Sequence, residues 1–275
     1  MKVSIVIPVY NEQTHLKACL ESIKAQTTSP FEVIVVDNNS TDDTVGVAKQ
    51  FNFVTIISEK RQGVVHARST GFNVAKGDII GRIDADTILE KDWILNVKRI
   101  FKDKTISAVS GRINYYDCIW PKLSSKLDLF FRRWLASKMK QDEMFLQGAN
   151  MALRRSAWTE VRRYLCYKSM IHEDFDLALH LQDEGFRVVF DDSLLVSIST
   201  RRFKDGPIDI FKYAMLSPLT YKKHYKISRF YMYPIIILIL SFYLIIRINA
   251  RTKENILKDL ISRNKYRVNP ATFVE

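Results

Sequence analysis

The first hundred residues alternate between short apolar runs and stretches with helical spacing. Residues 3–9, VSIVIPV, form a β-branched run, and Leu16, Cys19, Leu20 and Ile23 then recur at three- and four-residue intervals, one apolar stripe of a helix. FEVIVVD at 31–37 is a second run, followed by NNSTDDT, whose side chains offer helix N-caps before Val45, Val47 and Ala48. Residues 53–57 and DIIGRIDAD at 78–86 supply a third and a fourth run. Strand and helix alternating at this spacing predict an α/β fold with a parallel sheet and right-handed crossovers, and near-continuous apolar strands fit a sheet covered on both faces. Further on, residues 107–118 predict another strand. Residues 119–140 predict an amphipathic helix with Leu123, Leu127, Phe130, Phe131, Trp134 and Leu135 near one stripe and lysines and arginines between them. That helix suits an ordinary protein surface and a membrane interface equally well.

The polar residues fall at particular places. Tyr10, Asn11 and Glu12 follow the first run, Asp37 and Asn38 the second, and Asp84 and Asp86 the fourth. All lie at the carboxyl ends of predicted strands, where open α/β sheets bind ligands. Neither GxGxxG nor GxxxxGK[ST] occurs, so glycine amides are not the phosphate-binding device. The acidic DAD end suggests another, a divalent cation bridging carboxylate and diphosphate oxygens. HEDFDLALHL at 172–181 admits two readings: an acidic helix start that complements the macrodipole, or a catalytic carboxylate placed on that start.

Charge changes the picture only in the tail. The net charge is +12, yet residues 1–200 hold 27 Lys and Arg against 25 Asp and Glu, whereas residues 201–275 hold 15 against 5. The tail also contains FYMYPIIILILSFYLII, 230–246, an uncharged run of 17 residues. As a helix it would be about 25 Å long, against a hydrocarbon core of about 30 Å. Lys222, Lys223, Lys226 and Arg229 precede it, and Arg247, Arg251 and Lys253 follow. With both flanks basic, a single span, a re-entrant segment and an in-plane anchor all remain open. Nucleic acid is disfavoured as a partner, because the positive charge surrounds an apolar segment and the front of the chain is near neutral. Cys19, Cys118 and Cys166 form no CxxC, which fits a reducing compartment. The N-terminus carries no cleavable signal, so the binding part is expected at the cytoplasmic face of the cell membrane.

Taken together, IVIPVYNE at the start, VVDNNSTDDT at 35–44, ARSTGFNVAKGDIIGRIDADT at 67–87, QGANMALRR at 147–155 and HEDFDLALHLQDEG at 172–185 resemble family 2 glycosyltransferases. The resemblance covers about the first 205 residues in the family's own order, and it implies the GT-A fold, a mostly parallel Rossmann-like sheet flanked by helices. It divides the chain into a catalytic domain at 1–205 and a basic helical tail at 206–275. On this resemblance Pro8, Tyr10 and Glu12 match the first nucleotide-contacting loop, Asp37 the carboxylate that accepts from the base, commonly uracil, and Arg68 a basic residue near the nucleotide. Asp84 and Asp86 match the DXD motif, the first near the ribose and the second binding Mg2+ or Mn2+ on the diphosphate. Asp174 matches the general base of the ED motif, with Glu173 and His172 as orienters or acceptor contacts and Asp176 supporting the helix start. Arg201 and Arg202, in STRRF, resemble a late basic motif able to hold a diphosphate.

The function implied is inverting transfer of a sugar from a nucleotide-sugar donor, a UDP-sugar first, to a hydroxyl of a lipid-linked or cell-envelope glycan. Two departures from the family pattern stand out. Asn38 and Asn39 occupy positions where many relatives have Asp and Gly, and RRYLCYKSMIHED lacks the glycine pair often found before the acidic motif. Two other readings share some of these features: a nucleotidyltransferase, which has no evident use for Asp174, and an inactive transferase-like module that binds a membrane surface through the tail.

Overall fold

A computed structural model describes residues 1–117, 120–138, 144–167, 170–201 and 206–227, with Phe230, Tyr231, Tyr233, Ile236 and Leu240 beyond them. Arg202, Cys118 and most of the 230–246 apolar run lie outside the described residues.

The first half builds β1 (Val3–Val9), α1 (Leu16–Lys24), β2 (Glu32–Asp37), α2 (Thr44–Lys49), β3 (Val54–Ser58), α3 (Val64–Val74), β4 (Ile79–Arg82), β5 (Ile88–Leu89) and α4 (Trp93–Ile100). The second half adds β6 (Ile106–Tyr115), α5 (Pro121–Lys138), β7 (Met151–Arg154), α6 (Arg155–Val161), α7 (Glu173–Asp183), β8 (Arg187–Ile198) and α8 (Pro207–Lys223). Apolar positions set the layers. Ile5 and Ile7 join Leu16, Leu20, Trp93 and Ile94 in a core on one face of the sheet. Val6, between them, faces the opposite core with Phe72, Trp158 and Leu177. The two-residue side-chain period of a strand therefore feeds both layers, which is why β1 reads as an unbroken apolar run.

The eight strands run in the order β3-β2-β1-β4-β7-β6-β8-β5. The α/β class stands, but the sheet is mixed: β1, β2, β3 and β4 pair in parallel, as do β6 and β8, whereas β7 opposes both β4 and β6, and β5 opposes β8. The reversal of β7 follows from its chain position. It enters the sheet directly from the 147–150 loop, already at the carboxyl edge, so Met151 pairs with Arg82 at the end of β4. Since β1, β2, β4, β6 and β8 all point the same way, their carboxyl ends share one edge, together with the 147–150 loop and the N-terminus of α7.

Candidate active site

That shared edge gathers residues far apart in sequence. Pro8 lies near the end of β1, half-exposed Tyr10 just beyond it, and Asp37 at the end of β2 beside them. The Asp37 carboxylate accepts from the Ser40 amide at 3.2 Å, and its carbonyl accepts from the Glu59 amide at 2.8 Å. Asn38 explains its departure from Asp. Its amide donates to the carbonyls of Glu59 and Arg61, both at 2.8 Å, and its carbonyl oxygen accepts from the Gly63 amide at 2.7 Å. Asn38 thus holds the 59–63 turn against the end of β2, a task that needs a donor and an acceptor on one side chain. Asn39 has φ 65°, the left-handed region where Gly or Asn fits.

The bend after β4 carries the acid pair. Asp84 accepts from Arg82 Nη2 at 2.9 Å. Asp86 Oδ2 lies 2.8 Å from Arg201 Nε, and the Asp86 carbonyl accepts from the Tyr116 hydroxyl at 3.2 Å. Arg201 also makes a two-pronged pair with the buried carboxylate of Glu12. Burial pushes the Asp86 carboxyl above its ordinary range; Arg201 opposes this, and Asp84 and Glu12 add to it. Cys19, buried beneath, has its thiol pushed far up by burial and by the charges of Asp86, Asp84 and Glu12. Glu12 and Asp86 share the Arg201 guanidinium and Asp84 is paired with Arg82; their carboxylate oxygens are the hard donors that an ion of the Mg2+ or Mn2+ type takes. Arg201 reaches this place because Ser199 and Thr200, just after β8, are anchored on Asp117, whose carboxylate accepts both hydroxyls and the Thr200 amide.

Asp174 sits in the first turn of α7, but no side chain caps that helix. Its carboxylate turns inward instead. Oδ1 accepts from Arg82 Nη1 and lies 3.7 Å from Arg68 Nη1, while Oδ2 accepts from the Gly148 amide at 2.7 Å. The helix-capping reading of HEDFDLALHL fails for Asp174 on this geometry. Arg68 is fully buried, donates to the Glu173 carbonyl at 2.8 Å, and so lies beneath the acidic motif, not open to solvent. The Glu173 carboxylate lies 3.6 Å from Arg82 Nη2. Although burial opposes ionisation there, His172, Arg82 and Arg68 outweigh it and hold the group below the usual glutamate range. His172 turns away towards α8, its ring stacked on Phe175 with centroids 4.3 Å apart and its Nε2 3.1 Å from the Tyr213 hydroxyl. Asp176 accepts from the Cys166 amide at 2.9 Å and so ties the helix start to the preceding loop.

Arg82 is the residue that sequence reasoning missed. Its guanidinium is buried between Asp84, Glu173 and Asp174 and links the acid pair to the ED motif. The signal was present: an arginine closing the four-residue, fully buried strand β4 requires buried carboxylates nearby. Gly148 and Asn150 were missed as well. Asn150 accepts from the Trp93 indole at 2.9 Å and donates to the carbonyls of Arg112 and Leu194, which fixes the loop that presents the Gly148 amide.

Comparison with known proteins agrees with this architecture. Glycosyltransferase AglE of Haloferax volcanii is 33% identical over 120 residues, 41% of this chain and 40% of that protein. The O-antigen chain rhamnosyltransferase RfbN of Salmonella typhimurium is 27% identical over 201 residues, 69% of this chain and 64% of that protein. The chain thus spans less than two thirds of the length of either curated relative. The mannosyltransferase PcManGT from Pyrobaculum calidifontis, solved in complex with GDP-Man and Mn2+, shares the fold with a TM-score of 0.68 at 18% identity, covering 98% of this chain and 81% of that one. This fold is GT-A. Residues 4–162, more than half of the sequence, match the family described as "Glycosyl transferase family 2", and the chain belongs to that family.

Proposed function

We propose that this chain is an inverting glycosyltransferase that moves a sugar from a nucleoside-diphosphate donor, a UDP-sugar first among them, to a hydroxyl of a lipid-linked or cell-envelope glycan. The observation that carries the reading is Arg82, whose one guanidinium joins Asp84 of the acid pair to Asp174 of the ED motif. Donor-binding and proton-accepting groups are thereby fixed at a set separation, as a single displacement requires.

Pro8, Tyr10 and Asp37 line the side on which the nucleoside would lie, with Asp37 accepting from the base. Asp86, supported by Asp84, would hold Mg2+ or Mn2+, which when bound neutralises charge on the leaving diphosphate. Arg201, which faces Glu12 and Asp86, would turn to give charge-assisted hydrogen bonds to phosphate oxygens. Arg202 shares that role on the basis of sequence alone. Asp174 takes the proton from the acceptor hydroxyl as its oxygen bonds to the anomeric carbon. The bond from that carbon to the diphosphate breaks, the electron pair leaves with the diphosphate, and attack from the opposite face inverts the centre. Arg82 and the Gly148 amide use two of the roughly four lone-pair sites of the Asp174 carboxylate, so it keeps capacity for that proton.

The basic tail places the enzyme at the cytoplasmic face of a membrane in this reading, supported by the charge excess and the apolar run at 230–246. Among the described residues no helix is long and apolar enough to cross a membrane. The exposed Ile208 and Phe211 on α8 would add to contact with a lipid surface.

The deciding measurement is release of nucleoside diphosphate from a panel of UDP- and GDP-sugars with and without Mn2+, using wild type and Asp86→Ala. Release that depends on Mn2+ and is lost in the variant supports the assignment. Release that is equal without metal, or unchanged in Asp86→Ala, overturns the metal site, and no release or binding of any donor overturns the activity.

A further inference from the structure

Along α7 from Asp176 to Asp183, a second group of side chains gathers for which the transfer reaction has no use. Potential ligand atoms of Cys166, Asp176 and His180 all lie within 4.8 Å of one another, and so do those of His180, Asp183 and His224. Three separate segments contribute: the loop after α6, one face of α7, and the residue that ends α8. Asp176 and His180 are four apart on the helix and so stand one above the other. The His224 Nε2 is 2.9 Å from Asp176 Oδ1, and the His180 Nε2 is 3.6 Å from the same oxygen. That His180 nitrogen is buried without a hydrogen-bond partner among the described residues. The two imidazoles meet edge to face with centroids 4.6 Å apart.

We propose that Cys166, Asp176, His180 and His224 bind one zinc ion, which clasps α7 to α8 and to the 162–167 loop. A thiolate, two imidazoles and one carboxylate are borderline-soft donors in the number and type that tetrahedral zinc takes, unlike the all-oxygen set around Asp86. Tetrahedral bonds of about 2.0–2.3 Å put ligand atoms about 3.3–3.6 Å apart, so the spacings of up to 4.8 Å among Cys166, Asp176 and His180 would close and the 2.9 Å between His224 and Asp176 would open as the ion binds. The outer contacts have the right sense. Asp183 lies 3.8 Å from His224 Nδ1, the nitrogen turned away from the cluster, and Asp183 is held in turn by Lys226 Nζ at 2.7 Å. A carboxylate near the far nitrogen is the kind of outer partner that zinc-bound histidines generally take, and a small closure would make it a hydrogen bond. Coordination releases the thiol proton of Cys166 to solvent and involves no redox change. Because this clasp sits on the helix that begins at Glu173 and Asp174, it stabilises the position of the ED motif without touching substrate.

The test uses the full chain, freed of any histidine tag and kept in excess Mg2+ so that the acid pair has its own ion. Zinc alone is titrated and the bound metal measured by mass spectrometry. About one zinc per chain is expected, retained in Asp86→Ala and bound at least about tenfold more weakly in Cys166→Ser and in His224→Gln. Cobalt(II) in place of zinc should give a thiolate-to-cobalt charge-transfer band in the wild type that Cys166→Ser lacks. If either variant fails to fold, the wild-type cobalt spectrum decides alone. Absence of the thiolate band, or zinc retained undiminished by Cys166→Ser, overturns the proposal.

Discussion

Asp174 shows how the environment changes what one substitution tests. On a bare helix start, Asn would replace Asp at little cost, since both cap well. Here the carboxylate answers two guanidiniums that are themselves buried, so Asp174→Asn takes from each one of its counter-ions. We expect a stability loss of up to about 3–5 kcal/mol, together with a turnover loss on the order of a hundredfold or more, because an amide cannot accept the acceptor's proton. Glu173→Gln, at a less buried carboxylate, should cost far less turnover. Melting temperature, donor affinity and transfer rate on the same preparations check this, and near-normal transfer by Asp174→Asn would pass the base to Glu173. Arg201→Ala has effects of opposite sign on two ligands. Removing its guanidinium frees Glu12 and Asp86, so Mn2+ alone should bind about two- to fivefold more tightly, the size of a partly solvated ion pair of about 0.5–1 kcal/mol. Donor affinity should fall, since the diphosphate loses a charged partner. Mn2+ titration with and without nucleotide separates the two.

At the scale of elements, the site depends on loops held by buried polar bonds. A Cβ at Gly148 would overlap the Arg82 guanidinium and lie 2.5 Å from Asp174 Oδ2. Gly148→Ala should therefore displace the Arg82–Asp174 pair and reduce transfer at least about tenfold while the sheet persists, read by kinetics beside circular dichroism. The 59–63 turn is held by Glu59, which accepts from Arg61 and from the Thr70 hydroxyl. These bonds lower the Glu59 pKa to about 2, Arg61 contributing most and Thr70 next. A depressed carboxylate pKa adds stability that is present above the ordinary glutamate value of about 4.3 and lost as pH falls towards 2. Glu59→Gln should accordingly narrow the gap in melting temperature between pH 7 and pH 3, and an unchanged gap would show that the turn does not depend on that charge.

At the scale of the whole molecule, α8, beyond residue 205, packs against α7. Thr220 accepts from the His172 amide at 2.8 Å, and Tyr221 is buried against Phe175 of α7. A cut at 205 would strip this cover from the helix that carries Asp174, whereas a cut after Ile227 leaves it in place. The 1–227 fragment is expected to leave the membrane fraction and keep the nucleotide affinity of the full chain; a fragment still sedimenting with membranes would move the anchor to the helix at 121–138. Both cuts assayed side by side separate loss of anchoring from loss of fold.

Much of the architecture followed from local pattern. Short apolar runs and helical stripes placed β1, α1, β2 and α2, because burial of apolar side chains acts through neighbours in sequence. The acid pair was legible as residue types at the end of a predicted strand, whereas the ED motif and Arg201 were picked out by the resemblance to family 2 glycosyltransferases. What each side chain does was decided only in three dimensions. β7 runs against β4 because the 147–150 loop enters the sheet at its carboxyl edge, a matter of chain path and not of periodicity. Arg82 became central because the fold buries it, and a buried guanidinium must find carboxylates wherever the chain brings them, here 92 residues away at Asp174. Arg201 meets Glu12 across 189 residues by the same logic, as the parallel strands end on one edge. Residue chemistry and local periodicity are properties of the sequence; the pairing of buried charges is a property of the assembled sheet, since only there does each lose its water and require a partner.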